Sequence, residues 1–220
     1  MLLYDCDNSD FGYDDMHRII AAGQRAKEHA VKYFNELSSR KTVYTLYGPQ
    51  HSNLGVLAAG SITPEQERII QKATRRKNYT QYELDENMNV IRVKHVTNYD
   101  RLDCIFHLFQ YGDFTYAQPF LKDRCVVYPS PTIIFKWEGG RPTFFAESSL
   151  VGLYVEFYKY PSADRINTTG YLYTPCSKYT TWGTKTSWSV PMNAEGSPVT
   201  ITQEETIYRH ICFADCLRGK

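Results

Sequence analysis

The residues best suited to metal chemistry lie near the carboxyl end of the chain. His210, Cys212 and Cys216 bring together one imidazole and two thiols, which are ligand types that zinc prefers. On a helix the two cysteines, four residues apart, share one face, whereas His210 points away from it. No fourth ligand is apparent. Two small buried thiols on the core face of a terminal helix explain the spacing better, and we predict no metal centre.

A short basic run is the most plausible anion-binding segment. Arg75, Arg76 and Lys77 are followed by Tyr79 and Tyr82, a combination that could clamp a phosphate or stack a base. Basic residues are also common at the ends of helices, where they complement the helix dipole. Because the 25 Lys+Arg nearly cancel the 24 Asp+Glu, this second interpretation is favoured, and we predict no specific nucleic-acid partner.

Catalytic motifs are missing from the sequence. The six histidines, at positions 17, 29, 51, 95, 107 and 210, show no triad spacing. The chain also lacks a GxGxxG, a Walker loop, an HExxH, a GxSxG and a paired CxxC. We therefore predict no enzymatic activity and no required cofactor. A hydrolase or nuclease assembled from scattered His, Asp and Arg remains the third alternative.

Tyrosine is the residue type that dominates the composition, with 18 among 220 residues. A phenol is a neutral donor and acceptor at pH 7, and its pKa near 10 makes it a latent negative charge. At about pH 10.5, reference pKa values ionise about fourteen of the tyrosines and move the formal net charge from +1 to roughly −26. This composition permits a protein that packs tightly at neutral pH and separates in strong alkali.

Nine tyrosines are candidate contact and alkaline-switch residues, because they are paired along predicted strands or stand next to acids or thiols. They are Tyr44, Tyr47, Tyr79, Tyr82, Tyr154, Tyr158, Tyr160, Tyr171 and Tyr173. For each of them the ordinary alternative is a strand tyrosine whose hydroxyl lies in water or on a carbonyl.

The elements that must position these tyrosines begin with an amphipathic helix over residues 14 to 39. Met16, Ile19, Ala26, Phe34 and Leu37 recur at steps of three or four, or multiples of them, with charged residues between them. The stripe is rich in Ala and Gly and suits a helix that docks on a flat surface or on a copy of itself. A helix that covers its own sheet fits equally well. We predict a leader and helical arm over 1–40 and a single domain over 41–220.

The rest of the chain is predicted to be mostly β-structure. Strands are predicted at 43–47, 54–58, 90–96, 102–109, 125–128, 132–137, 143–147, 150–160 and 170–174. A capped helix begins at Thr63, residues 177–198 form a loop, and a helix capped by Thr202 and Glu205 closes the chain. The fold class is therefore α+β: an antiparallel β-sandwich flanked by helices, with an N-terminal amphipathic helical arm.

The sequence predicts a soluble intracellular protein with no membrane partner. It has no basic leader followed by an apolar segment, and no run of 18 apolar residues. Its six cysteines lack the density of a disulfide-stapled scaffold, so we expect reduced thiols.

The order of elements, together with the tyrosines, resembles the cypovirus polyhedrins, the matrix proteins of insect-virus occlusion bodies. The similar features are the helix over 14–39, the tyrosine-bearing strand pair over 43–47 and 54–58, the capped helix from Thr63 into Tyr79–Leu84, and the long antiparallel region. They span about residues 14 to 175.

This resemblance implies homotrimers that pack into a cubic lattice in the host cell cytoplasm. It also implies that the N-terminal helix ties neighbouring trimers together, that virus particles are embedded in the lattice, and that the alkaline larval midgut dissolves it. Nucleotides trapped in the lattice are implied as well, with no contact residues assigned. The leading hypothesis is thus a self-assembling matrix protein of viral occlusion bodies. The alternative is a small intracellular protein-binding module, antitoxin-like or a phage accessory protein, with exposed tyrosines as interface anchors.

Overall fold

A computed structural model describes the chain over residues 13–49, 79–96, 102–121, 125, 131–139, 141–149, 152–163, 165–176, 180–191 and 209–212. Within these ranges the protein is mostly antiparallel β-structure with two helices. Neither of these helices has the combination of length and apolar sequence that crossing a bilayer requires. The chain divides into two compact units, one of residues 23–142 and one of residues 1–22 with 143–220. The predicted boundary after residue 40 stays a prediction.

The predicted helix at the start of the chain is confirmed as two consecutive segments, α1 (Tyr13–Lys32) and α2 (Phe34–Ser39). Helical backbone bonds from Tyr33 N to His29 O and from Leu37 N to Tyr33 O, both 3.0 Å, continue across the junction. The apolar stripe is buried within the chain; its members are Met16, Ile19, Ala22, Ala26, Ala30, Phe34 and Leu37. A free helical arm is therefore not confirmed.

The unit of residues 23–142 carries six of the described strands. They are β1 (Tyr44–Pro49), β2 (Tyr79–Leu84), β3 (Val90–Val96), β4 (Leu102–Tyr111), β5 (Phe114–Phe120) and β6 (Thr132–Glu138). Each pairs in antiparallel fashion with the next along the chain. The predicted turn after Tyr111 is confirmed: Gly112 has a φ of +62°, which glycine adopts without strain.

Aromatic side chains form the core of this unit and attach the second helix to it. Phe106, Phe120 and Phe135 are almost completely buried. The ring of Phe34 lies 4.9 Å from that of Phe120 and 5.7 Å from that of His107, so that α2 packs against β4. The second part of the N-terminal helical segment thus covers the sheet of its own unit.

The other unit carries the remaining described strands. They are β7 (Arg141–Ser149, whose first two residues belong to the preceding unit), β8 (Gly152–Ser162), β9 (Arg165–Cys176), β10 (Thr180–Pro191) and β11 (Arg209–Cys212). Here too each strand pairs in antiparallel fashion with the next. Phe145, Leu153 and Val155 are buried. The predicted antiparallel architecture is therefore confirmed, but the sandwich is not.

Two predictions near the carboxyl end are wrong. The predicted loop over 177–198 contains β10, which pairs with β9 along its whole length. Polar Thr and Ser residues suggest a loop, yet Thr, Trp and Val also favour strands, and this second preference prevails once β9 offers backbone partners. The predicted terminal helix is replaced over Arg209–Cys212 by β11, because pairing with β10 overrides the local helical pattern.

Besides β10 and β11, two described strands, β2 and β5, are absent from the prediction, and several predicted elements lie outside the described residues. β5 contains Gln118 and Pro119, which interrupt the alternation that identifies strands in a sequence. The predicted strand over 54–58, the capped helix from Thr63, the basic run over 75–77 and most of the predicted strand over 125–128 lie outside the described residues.

Candidate functional site: the tyrosine clusters

A carboxylate held between two phenols lies on β8. Tyr154 and Tyr158 each donate a hydrogen bond to Glu156, one to Oε1 and the other to Oε2. Alternation along the strand explains this grouping, because residues 154, 156 and 158 point to one face of the sheet. Both oxygens of a buried carboxylate are thereby satisfied by the same strand.

Tyr154, Glu156 and Tyr158 form a clamp in which the two phenols hold their protons strongly. Burial raises the pKa of Tyr158 and of Tyr154 well above the ordinary phenol value. The Glu156 carboxylate raises the pKa of both further, because it accepts their hydrogen bonds and repels a phenolate. Tyr160, half-buried on the same strand, adds a smaller effect on Tyr158. The clamp therefore keeps both phenols neutral in alkali that ionises a phenol in water.

The tyrosines of β9 face the other side of this sheet. Tyr171 lies opposite Val155 and Tyr173 lies opposite Leu153 in the strand register. Since directly opposed residues share a face, both tyrosines belong to the apolar side of β8. The ring of Tyr171 meets that of Phe157 edge-on at 6.1 Å, and burial raises the pKa of Tyr171 to about 12. The five late tyrosine candidates are thus divided between two faces.

The early candidates differ strongly in exposure. Tyr44 is exposed at the start of β1, whereas Tyr47 on the same strand is half-buried and points to the opposite face. Tyr82 on β2 is buried, and burial raises its pKa to about 12. Tyr79 begins β2, and its side chain lies outside the described residues. Tyr44 is therefore the early candidate best placed for a contact with another molecule.

A cluster of rings around His29 was missed by sequence reasoning. The imidazole of His29 lies 4.5 Å from the ring of Tyr33, 5.2 Å from that of Phe109 and 5.7 Å from that of Tyr111. Tyr33 and Tyr111 are exposed, whereas Phe109 is buried. The available signal was the four-residue spacing of His29 and Tyr33 on a predicted helix. The contribution of β4 is visible only in the folded chain.

A buried ionic network was also missed. The Arg92 guanidinium donates to Glu83 at 2.5 Å and to the carbonyls of Leu37, Ser38 and Arg40, which end α2. Burial acts to raise the pKa of Glu83, but its bonds with Lys94 and Arg92 outweigh burial and hold this pKa below the ordinary value. The network fixes the end of α2 to β2 and β3, which is a structural role.

Among the described residues no group of three or more His, Cys, Asp or Glu side chains is placed to hold a metal ion. His210 and Cys212 lie on β11, opposite Thr184 and Trp182, and Cys216 lies outside the described residues. Comparison with protein-family models, curated proteins and solved structures finds no match to this chain.

Proposed function

We propose that the chain is a structural, self-assembling protein that forms the matrix of viral occlusion bodies. In this proposal its copies form trimers and pack into an intracellular lattice that embeds virus particles and separates in alkali. The observation that carries the proposal is the character of β1: it is outermost among the described strands, and its first residue, Tyr44, and the preceding Val43 are exposed to solvent.

The contact is inferred from β1 itself. Among the described residues, β1 pairs along one side only, with β2. Val43, directly before the strand, is 43% exposed, and Tyr44, its first residue, is 42% exposed. An outer strand with exposed apolar side chains is a template on which another chain can add. We therefore infer that β1 forms part of a contact between copies.

Alkaline release is inferred from the difference between surface and interior tyrosines. As a class, phenols exposed to water ionise near pH 10. In contrast, burial raises the pKa of Tyr82 and of Tyr171 to about 12, and the clamp around Glu156 raises those of Tyr154 and Tyr158. Charge then accumulates first on phenols at the surface of each copy and only later inside the fold. The assembly would open while each copy is still folded.

The test is the assembly of the expressed chain and the pH at which it dissolves. Cells that express the chain are expected to contain micrometre-scale particles, and the turbidity of isolated particles should fall between pH 7 and about pH 10.5. Tyr44→Phe should raise the pH of dissolution, because it removes an ionisable group from the proposed contact. Tyr82→Phe is the matched control and should leave that pH unchanged. A chain that stays monomeric at high concentration would refute the proposal, as would particles that persist above about pH 10.5.

The second candidate is a binding module, and the exposed ring cluster around His29 favours it. Tyr33 and Tyr111 are exposed on the surface of one unit, and the ring of each lies next to the imidazole of His29. Exposed tyrosines of this kind are effective interface anchors. A monomer that captures one tight partner, with the capture lost in Tyr111→Ala and kept in Tyr44→Ala, would favour this candidate over assembly.

A further inference from the structure

A groove crosses one end of the sheet in the unit of residues 23–142. It has two adjoining parts of about 480 and 400 Å³. The first part lies beside the α1–α2 junction and α2, and the second extends to β6. Both parts share five lining residues, which come from β3, β4, β5 and the turn before β3: Asn89, Val90, Leu108, Gln110 and Thr115. The two parts therefore form one elongated site, which the assembly proposal does not use.

The formal charges that line the groove cancel. Glu36 and Asp113 contribute two negative charges, and Arg40 and Lys136 contribute two positive charges. Both cations are already engaged, since Arg40 donates to the Leu108 carbonyl at 2.7 Å and Lys136 pairs with the Glu138 carboxylate. A site of this composition has no net attraction for a polyanion or a polycation and suits a neutral ligand.

Two amides in the middle of the groove are held in fixed orientations. Gln110 donates from Nε2 to the hydroxyl of Thr115 at 2.6 Å, and Asn89 donates from Nδ2 to Asp85 at 3.2 Å. Asp85 also accepts from the backbone N of Asn89 at 2.9 Å, and the turn that they close carries Met88 at a φ of 64°. One N–H of each amide is thus engaged, which leaves the other N–H and the carbonyl oxygens to bond to a ligand. Such oxygens accept hydrogen bonds from hydroxyl groups.

Aromatic rings mark both ends of the groove. Tyr33 and His29 line the end near the α1–α2 junction, and Trp137 lines the end on β6. A sugar ring has an apolar C–H face that packs on an aromatic ring and a rim of hydroxyls that hydrogen-bond to amides and carboxylates. We propose that this groove binds a neutral oligosaccharide chain, whose sugar faces lie on Tyr33 and Trp137 and whose hydroxyls bond to Asn89 and Gln110.

A peptide fits the groove less well than a glycan. The three strands that supply its floor, β3, β4 and β5, are each paired on both sides within the described sheet. An extended peptide gains much of its affinity from adding to an unpaired strand edge, and these strands offer none. Hydroxyl-rich ligands need only side-chain groups, which the groove supplies.

The experiment measures binding of neutral hexasaccharides of glucose, xylose and N-acetylglucosamine to the purified full chain. Titration calorimetry and tryptophan fluorescence are the two readouts. A printed array of protein-linked glycans extends the probes and distinguishes a glycoprotein source from a polysaccharide. At least one probe is expected to bind, with an affinity that changes less than about twofold between low and high salt because the ligand carries no charge.

Two exposed groove positions provide the variants. Gln110→Ala is expected to weaken binding roughly fivefold to tenfold through the loss of one hydrogen bond, and Tyr33→Ala by about tenfold through the loss of a stacking ring. Tyr44→Ala, an exposed aromatic residue outside the groove, is the matched control and should bind as the parent does. Failure of every neutral glycan to bind would overturn the proposal. Glycan binding that neither groove variant weakens would also overturn it. The same holds if a peptide library yields a ligand whose binding is lost in Gln110→Ala. Because these measurements report binding at the groove and not the association of copies, their failure leaves the assembly proposal standing.

Discussion

Raising the pH above 10 should destabilise the fold through two buried phenols, those of Tyr82 and Tyr171. Tyr82 is 3% exposed and Tyr171 is 4% exposed. Burial raises the pKa of each to about 12. In the unfolded chain a phenol titrates near pH 10. Between pH 10 and pH 12 the unfolded state therefore binds fewer protons than the folded state, and the free energy of unfolding falls as the pH rises.

The size of this effect follows from the two pKa values. Below about pH 9 both states are protonated and the contribution of each phenol is fully present. At pH 11 the unfolding equilibrium shifts by a factor of about ten for each tyrosine, or about 1.4 kcal/mol, and the loss approaches about 2.7 kcal/mol at still higher pH. For a chain of this length, 1.4 kcal/mol corresponds to about 3–6 °C in Tm. Tyr82→Phe and Tyr171→Phe keep the ring and remove the proton.

The assay is thermal unfolding, followed by circular dichroism at pH 8 and pH 11 in dilute solution. The drop in Tm between the two pH values should be about 3–6 °C smaller in each buried variant than in the parent. Tyr44→Phe is the control and should show the parent's drop, because its ring is exposed in the folded chain. An equal drop in all four proteins would refute the reasoning. A phenolate absorbance titration in which every tyrosine ionises together near pH 10 would refute it as well.

Two further predictions concern the attachment of the helices to the sheet. Glu83→Gln should lower the free energy of unfolding by about 3–5 kcal/mol in denaturant titrations at pH 7, because it leaves the buried guanidinium of Arg92 without its carboxylate. Because the pKa of Glu83 is lowered in the folded chain, its contribution to the free energy of unfolding is present above the unfolded pKa and is lost as the pH falls through the folded pKa. The Glu83→Gln variant should therefore lose less stability in acid than the parent does. Phe34→Ala should cost about 3–5 kcal/mol in the same titration, and Asn35→Ala, on the exposed face of α2, should cost less than about 0.5 kcal/mol. A Phe34→Ala variant as stable as the parent would show that α2 does not depend on this contact.

The elements that sequence reasoning predicted best are those whose pattern is strictly local. Met16, Ile19, Ala26 and Phe34 follow the helical period, and their side chains are buried. Strand β3, predicted from its alternation, and strand β4, predicted from its aromatic and β-branched residues, are confirmed within two residues. Strand β10 was missed because Thr and Ser carry both a loop signal and a strand signal, and the choice between them depends on a neighbouring strand.

The tyrosine clusters show the same division between local and non-local information. Alternation alone places Tyr154 and Tyr158 on one face, and Glu156 between them is visible in the sequence. The position of Tyr171 on the opposite face depends on the register between β8 and β9, which no local pattern specifies. Burial, which raises the pKa of the interior phenols, likewise depends on the whole fold. Reference pKa values are the same for every tyrosine, so composition alone does not predict this difference.

The sequential order of the strands affects how quickly the chain can fold. In each unit every described strand pairs with its predecessor, and β4 and β5 are joined by only two residues, Gly112 and Asp113. Short connections close quickly and at a small loss of chain entropy, and hairpins form in about 1–10 μs. Contacts of low sequence separation favour rapid folding even in β-rich proteins. Strands joined by such short connections can therefore pair soon after they leave the ribosome, which shortens the time during which their unpaired edges are open to aggregation.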